Sequence, residues 1–276
     1  MRTLGVDLAA EPAGTATAAI DWSGSRAEVV AVRIGQTDGQ VAELAATAER
    51  MGLDSPLGWP EAFVEFVVGH RDGRTPPATD LAGRRLLAYR ETDRAITGLT
   101  GLRPLSVAAD RIGHAAMRAA GLMARLGADG HDVRRDGRGF VVESYPSGAL
   151  KQWGLPHRSY KGSGGAAARA ALIDSVSAAF PALEWGSAEE TCRESDHAFD
   201  AVICALIARA AALGAVNQPD EGQARLAATE GWIVVPTCPI RQLAQPARFR
   251  TENGQVLQVG EDSGASRSLL GSGGLA

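Results

Sequence analysis

The chain predicts an α/β fold, a mixed five-stranded sheet flanked by helices with a helical insertion. Three observations carry that expectation. Short apolar runs of strand length crowd the N-terminal part, longer helical stretches follow them, and single acids end several of the runs.

Residues 3–8 are a short apolar run broken by one acid, Asp7, and read as a buried strand. Residues 15–22 alternate weakly and give a second strand. Residues 27–33 are a stronger third strand, because valine suits a pleated, half-buried surface. Trp22-Ser23-Gly24-Ser25 is turn-like, so the second and third strands form a hairpin. Residues 41–50 are helical. Residues 52–54 make a short fourth strand, stopped by Ser55-Pro56 and Pro60. A meander followed by a helix and a crossover strand implies a mixed sheet with helices packed on it.

Residues 61–130 form the helical insertion, with helices over 61–69, 81–97 and 106–126 and a polar, Pro-rich loop at 71–80. Residues 140–146 are a fifth strand ending at Pro146. The Gly-rich 162–165 precedes a helix over 166–180. An apolar, Ala-rich helix spans 200–213, with Gly214 as its C-cap, and 231–235 is a last short strand. The predicted domain occupies 1–240, and 241–276 is expected to be a polar, mobile tail. There is no internal repeat.

The 276 residues are 45% hydrophobic and 22% charged, which suits a globular protein with a sizeable core. A net charge of -4 lacks the global basic footprint of a duplex-coating protein. Met1-Arg2-Thr3-Leu4 runs straight into a strand, and no apolar run reaches membrane-spanning length, so neither a leader nor a membrane partner is expected. Cys192, Cys204 and Cys238 show neither paired spacing nor a zinc pattern, which points to a reduced, cytoplasmic setting. Lysine occurs only at 151 and 161 in an arginine-rich chain, which singles out Lys161 as a compact cation retained for its chemistry.

Three segments far apart carry aspartates at awkward places: Gly5-Val6-Asp7-Leu8-Ala9, Gly52-Leu53-Asp54-Ser55-Pro56-Leu57-Gly58 and Ser195-Asp196-His197-Ala198-Phe199-Asp200-Ala201. An acid inside a buried strand needs partners or costs several kcal/mol. Strand ends are where sites gather in open α/β sheets. Converged carboxylates repel one another unless a cation sits among them, and oxygen ligands suit a hard divalent ion, Mg²⁺ or Mn²⁺. The bland alternatives are a solvated Asp7, a turn-forming Asp54 and a helix-capping Asp196. Asp200 opens an apolar run and has no such easy explanation; Asp196 shares its helix face four residues away. Glu143 ends a valine strand and is a further candidate ligand, against the alternative of a strand-end acid reaching solvent. His197 is a candidate proton donor or a surface residue. Arg90 and Asp93 read as a solvated helix face or, for Arg90, a phosphate contact. Tyr160-Lys161-Gly162 precedes a Gly-rich stretch that does not match a P-loop.

The ordered set Gly5-Val6-Asp7, Leu53-Asp54-Ser55-Pro56-Leu57-Gly58, Arg90-Glu91-Thr92-Asp93, Glu143-Ser144-Tyr145-Pro146, Tyr160-Lys161-Gly162, Asp196-His197-Ala198-Phe199-Asp200-Ala201 and Glu230-Gly231-Trp232-Ile233-Val234-Val235-Pro236 resembles domain-of-unknown-function family 429, described as predicted ribonuclease H-like nucleases. It covers roughly residues 3 to 236. The resemblance implies a ribonuclease H-like sheet and a nuclease acting on nucleic acid. Its acids on the first strand, fourth strand and last helix map to Asp7, Asp54 and Asp200 as ligands of catalytic metals, with Glu143 and Asp196 as additional acids. Two metals about 3.5–4 Å apart would clamp one phosphodiester. Asp7 would bridge them, Lys161 or Arg90 would neutralise developing charge, and His197 would donate a proton. Substrate affinity would come from scattered arginines such as Arg84, Arg85, Arg90 and Arg94. Two other readings stay open: an ATP-dependent phosphotransferase of the actin and sugar kinase class, which has only Gly14 and the 162–165 stretch as phosphate loops, and a non-catalytic nucleic-acid-binding module.

Overall fold

The computed structural model describes residues 1–74 and 80–245, with two further short strands, Arg248–Arg250 and Val256–Gln258. Met1–Gln245 is one compact unit; Pro246–Ala276 is a second, in which those two strands pair antiparallel. Part of the loop expected at 71–80 and most of the tail expected at 241–276 lie outside the described residues. The expected boundary at 240 falls inside the first unit, where the 3-10 turn Ile240–Ala244 buries Ile240 and Leu243.

The first unit is a mixed α/β fold around a seven-stranded sheet, not a five-stranded one. Its strands are β1 (Arg2–Asp7), β2 (Ala16–Ser23), β3 (Arg26–Ile34), β4 (Arg50–Asp54), β5 (Val141–Ser144), β6 (Leu183–Glu184) and β7 (Ile233–Val234), in the spatial order β6-β3-β2-β1-β4-β5-β7. Strand β2 alone runs against the others, as the antiparallel β1–β2–β3 meander and the parallel pairings elsewhere require. The extra strands have two residues each, too short to leave a period in the sequence. A short strand was expected at 231–235, and two of those residues pair; β6 carried no signal.

Ten helices accompany the sheet among the described residues: α1 (Asp38–Ala45), α2 (Glu61–Arg71), α3 (Leu81–Ala88), α4 (Glu91–Thr100), α5 (Gly113–Ala128), α6 (Pro146–Gln152), α7 (Ala166–Ala179), α8 (Ala188–Glu194), α9 (Asp196–Ala212) and α10 (Ala224–Glu230). Three of them, α6, α8 and α10, were not anticipated; each has only seven residues. The first helix starts earlier than the expected 41–50, because Thr37 and Gln40 form a capping box that satisfies its free N–H groups. The helix expected over 81–97 is two helices, broken at Tyr89-Arg90, where the Asp93 carboxylate accepts the Arg90 backbone N–H at 2.9 Å and starts α4 afresh. The last long helix begins at Asp196 rather than 200, with Ser195 as its N-cap accepting from Ala198 N at 3.3 Å.

Strand parity decides what each sheet face meets. Leu4, Val6, Met51, Leu53 and Val141 pack with residues of α1 and α5 on one face. The opposite face carries Gly5, Asp7, Gly52, Val142 and the inward residues of β2, and α9 lies on it. Helix α9 is buried from residue 198 to 211, all round, so its hydrophobic pattern has no polar stripe. It also lies unusually close. A Cβ on Gly5 would stand 1.9 Å from the Ala201 carbonyl oxygen and 2.3 Å from Ala205 N; one on Gly52 would stand 2.2 Å from the Cys204 carbonyl oxygen. Those glycines let the helix backbone rest directly on β1 and β4.

Among the described residues no helix is long and apolar enough to cross a membrane.

The contact generates a prediction. Gly5→Ala will destabilise the protein in denaturant melts by at least the 1–3 kcal/mol typical of overpacking, because backbone rather than a flexible side chain must move. Gly121→Ala, inside α5 with open space around the new methyl, will be neutral or stabilising by up to about 1 kcal/mol. Equal effects at the two sites would contradict the packing described.

Candidate functional site

Two residues beyond each of these glycines stands an acid. Gly5 and Asp7 share a strand face, as do Gly52 and Asp54, and Asp7 pairs in register with Asp54 across parallel strands. Asp200 sits one residue before Ala201, the helix residue that touches Gly5. The same close packing therefore delivers Asp7, Asp54 and Asp200 to one place, at the carboxyl ends of β1 and β4.

The cluster is partly neutralised by the protein's own groups. Asp200 is buried, with one carboxylate oxygen accepting the Tyr160 hydroxyl at 2.8 Å and the other meeting Lys161 Nζ at 2.6 Å. His197 Nδ1 lies 2.6 Å from Asp7 Oδ2. Asp54 accepts no hydrogen bond from any described residue. Burial pushes its carboxyl well above the ordinary range; Lys161 opposes that, while Asp7, Asp200 and Glu143 add to it. Asp200 is pushed up to about 6, again by burial first, with Lys161 opposing and Asp7 adding to it. Burial alone would lower Lys161, but Asp200 and Asp54 hold it above its ordinary value. These directions agree: the cluster has more negative charge than its cation balances.

Lys161 is placed by a residue that drew no attention in the sequence. Arg169 of α7 is buried and spends its guanidinium on backbone carbonyls. It donates to Tyr160 O at 2.8 Å and Gly162 O at 3.4 Å on one side, and to Arg193 O at 3.0 Å and Glu194 O at 2.8 Å on the other. It thereby ties the 160–162 loop to the chain entering α9. Asp196 closes the same junction, accepting Gly162 N at 3.1 Å. That carboxylate is turned to the loop and is not among the residues lining the cavity beside Asp7 and Asp54; Ser195, not Asp196, caps the helix.

Glu143 lines the same cavity, with Arg90, but its carboxylate stands apart from the three aspartates. It pairs in register with Leu53, so it leaves the sheet on the face opposite to Asp54. There Arg90 meets it through two bonds, Nη2 to Oε1 at 2.6 Å and Nη1 to Oε2 at 2.8 Å, and Leu57 N donates to Oε2 at 3.0 Å. Arg90 also holds Asp93, from Nη2 to Oδ1 at 2.9 Å and Nε to Oδ2 at 3.3 Å, and donates to Glu230 O at 3.2 Å. All three charged residues are buried, so Arg90 is a structural ion-pair centre and neither a solvated helix charge nor a free phosphate contact. Glu230 seats the neighbouring helices, accepting Glu61 N at 2.9 Å and Glu91 N at 2.7 Å.

A cavity of about 260 Å³ opens over the cluster, lined in part by Asp7, Asp54, Ser55, Ser144 and Lys161. The hydroxyls of Ser55 and Ser144 are buried without a hydrogen-bond partner among the described residues. Neither stood out in the sequence; Ser144 acquires meaning only through its register beside Asp54, one step past the Leu53–Glu143 pair. Among the described residues no three His, Cys, Asp or Glu side chains are arranged as a metal site. Lys161 occupies one Asp200 oxygen and His197 one of Asp7. What fits a hard cation is the donor chemistry: a free, desolvated carboxylate at Asp54, a second beside it at Asp7, and orphaned hydroxyls next to them.

Two outcomes follow. Replacing Arg90 by Met leaves Glu143 and Asp93 buried without their cation, and will cost about 3–5 kcal/mol in denaturant melts; Arg26→Met, which breaks the exposed pair with Glu184, will leave the midpoint nearly unchanged. In metal-free buffer, Asp54→Asn will raise the melting temperature by roughly 2–4 °C near pH 7. A native-state pKa above the unfolded one means that stability is present below the ordinary carboxylate range and is lost as pH rises through the raised value. The gain of Asp54→Asn will therefore be small near pH 4 and grow toward neutrality, and wild-type stability will fall as Asp200 ionises through about 6. His197, raised chiefly by its bond to Asp7, adds a loss of the same sign. A pH-independent difference would contradict the charge balance described.

The family model Protein of unknown function (DUF429) matches residues 5–224, most of the chain, so the chain belongs to that family. No curated protein and no solved structure matches it.

Proposed function

From membership of a family whose matched model is named only as a protein of unknown function, we propose that this protein is a metal-dependent phosphodiester hydrolase, a nuclease with a ribonuclease H-like core. One observation carries the reading: an unpaired, desolvated Asp54 beside Asp7 at the ends of two parallel strands, with Asp200 supplied by the helix packed on them. The order β3-β2-β1-β4-β5 with β2 reversed supports the fold assignment. Fold likeness alone is a weak warrant for activity, so the weight rests on the carboxylates.

Asp7 and Asp54 would hold Mg²⁺ or Mn²⁺, and Asp200 would join them by releasing Lys161. When bound, the ion supplies an activated water and stabilises charge on phosphoryl oxygens. The chain's own residues do the rest. Lys161, half exposed at the cavity rim, would then be available to meet a phosphoryl oxygen. Tyr160, bonded to the other Asp200 oxygen, would hold the carboxylate's orientation. His197 is half exposed and uses Nδ1 on Asp7, which leaves Nε2 to hand a proton to the leaving oxygen. The Ser55 and Ser144 hydroxyls orient water in the cavity. The substrate reading is nucleic acid, whose phosphate would meet Lys161 at the cavity rather than a net basic surface.

The test is cleavage of single-stranded, duplex and hybrid DNA and RNA in Mg²⁺ or Mn²⁺, with EDTA controls. Cleavage will require metal and fall by about 10²-fold or more in Asp7→Asn and Asp54→Asn, since even residues behind metal ligands are worth 10–100-fold. Cleavage that survives EDTA and both substitutions, or folded protein that cleaves none of these substrates, would overturn the reading; the second result would leave a binding module.

A further inference from the structure

A second cavity, of about 240 Å³, lies beside the first and is lined by Arg85, Leu86, Tyr89, Arg94, Thr97 and Arg103, with Asp93 at its base. The two linings adjoin along the chain. Arg90 lines one and its partner Asp93 the other; Arg103 lines one while the next two residues, Pro104 and Leu105, line the other. The Asp93 carboxylate accepts from Arg90, a cation it shares with Glu143.

Its cations differ in what holds them. Arg94 is committed, donating to Tyr89 O at 2.7 Å and Glu91 Oε2 at 2.6 Å, and it fastens the backbone of Tyr89. Arg85 is exposed and has no acidic partner among the described residues. Arg103 is exposed too, has no acidic partner among the described residues, and lies over the face of the Tyr89 ring, 6.0 Å from the centroid, at the outer limit of a cation–π interaction. Leu86, 55% exposed, adds apolar surface beside the ring. Two uncommitted guanidiniums flanking an aromatic ring match one kind of ligand well. Arginine recognises phosphate with paired donors, and a ring gives an unpaired base a stacking platform. A duplex hides its base faces, so the ring favours a single strand.

We propose that this cavity is a nucleotide subsite for single-stranded nucleic acid flanking the bond that is cut. Phosphate sits on Arg85 and Arg103, and a base sits against Tyr89 and Leu86. The proposal rests on the nuclease reading for the word flanking; the subsite as a nucleic-acid site stands on its own residues. It names the local basic surface that an acidic chain needs.

Binding is measured without cleavage, in EDTA, by fluorescence anisotropy of labelled oligothymidylate and oligouridylate of about 12 nucleotides, and of a duplex of the same length. The full chain will bind the single strands more tightly than the duplex. The double variant Arg85→Ala/Arg103→Ala will weaken binding by at least about tenfold and lower the salt slope by about 1.4, since each phosphate contact on a single strand contributes roughly 0.7. Tyr89→Leu will weaken binding by about fivefold or more with the slope unchanged. Arg85→Lys/Arg103→Lys keeps the charge and will keep the slope; thermal melts of all variants confirm folding. Absence of single-strand binding, wild-type affinity and slope in the double alanine variant, or equal binding of duplex would each overturn the proposal. Cleavage scored separately keeps the two readings apart. Metal-dependent cleavage with unaffected binding in the variants removes the subsite alone, and Arg85/Arg103-dependent binding with no cleavage removes the nuclease alone.

Discussion

Everything at the candidate site depends on how closely α9 approaches the sheet. Gly5 and Gly52 are bare where the helix carbonyls of Ala201 and Cys204 come down, and no side chain fits between. A long, wholly buried helix pressed onto two strands fixes its own rotation and translation within the packing density of a protein core. That rigidity sets where Asp200 stands relative to Asp7 and Asp54, since each acid lies within two residues of the contact. Three carboxylates are thereby held together by apolar packing that does not depend on their charge.

The energetic tension is local. The packing brings more negative charge together than Lys161 and His197 offset, and the excess appears as the raised Asp54 and Asp200 carboxyls. Such tension is what a site carries when a ligand is meant to complete it. The contrast with Arg90 is instructive. That guanidinium is buried, yet it faces two carboxylates and a carbonyl with its hydrogen bonds made. One cluster has every guanidinium hydrogen bond made; the other leaves Asp54 without a donor among the described residues, and both reach the same cavity.

Parts of this were legible in the sequence for identifiable reasons. Asp7 and Asp54 stand out because an acid ending a short apolar run has few bland explanations. Asp200 stands out because the run after it is continuous. Glu143 looked the same by that criterion, and only the register of β5 against β4 reveals that it leaves the other face of the sheet. Asp196 was equally plausible as ligand or cap, and its partner, Gly162, lies on a loop 34 residues away. Arg169 was invisible because a lone arginine in a helix normally reads as solvated, and its partners are backbone carbonyls that carry no residue signal. The break at Tyr89-Arg90 was hidden by an apolar pattern that runs across it. Short α6, α8 and α10 and two-residue β6 lack the length for periodicity to register.

The central claim is that the Asp7–Asp54 pair takes a divalent cation, and Mn²⁺ titration followed by electron paramagnetic resonance tests it without reference to any substrate. Free Mn²⁺ signal will be lost saturably and stoichiometrically on adding wild-type protein at neutral pH, Mg²⁺ will compete, and Asp54→Asn will not take up the ion. Retention of the full free-ion signal by folded wild-type protein, or equal uptake by Asp54→Asn, would contradict the account.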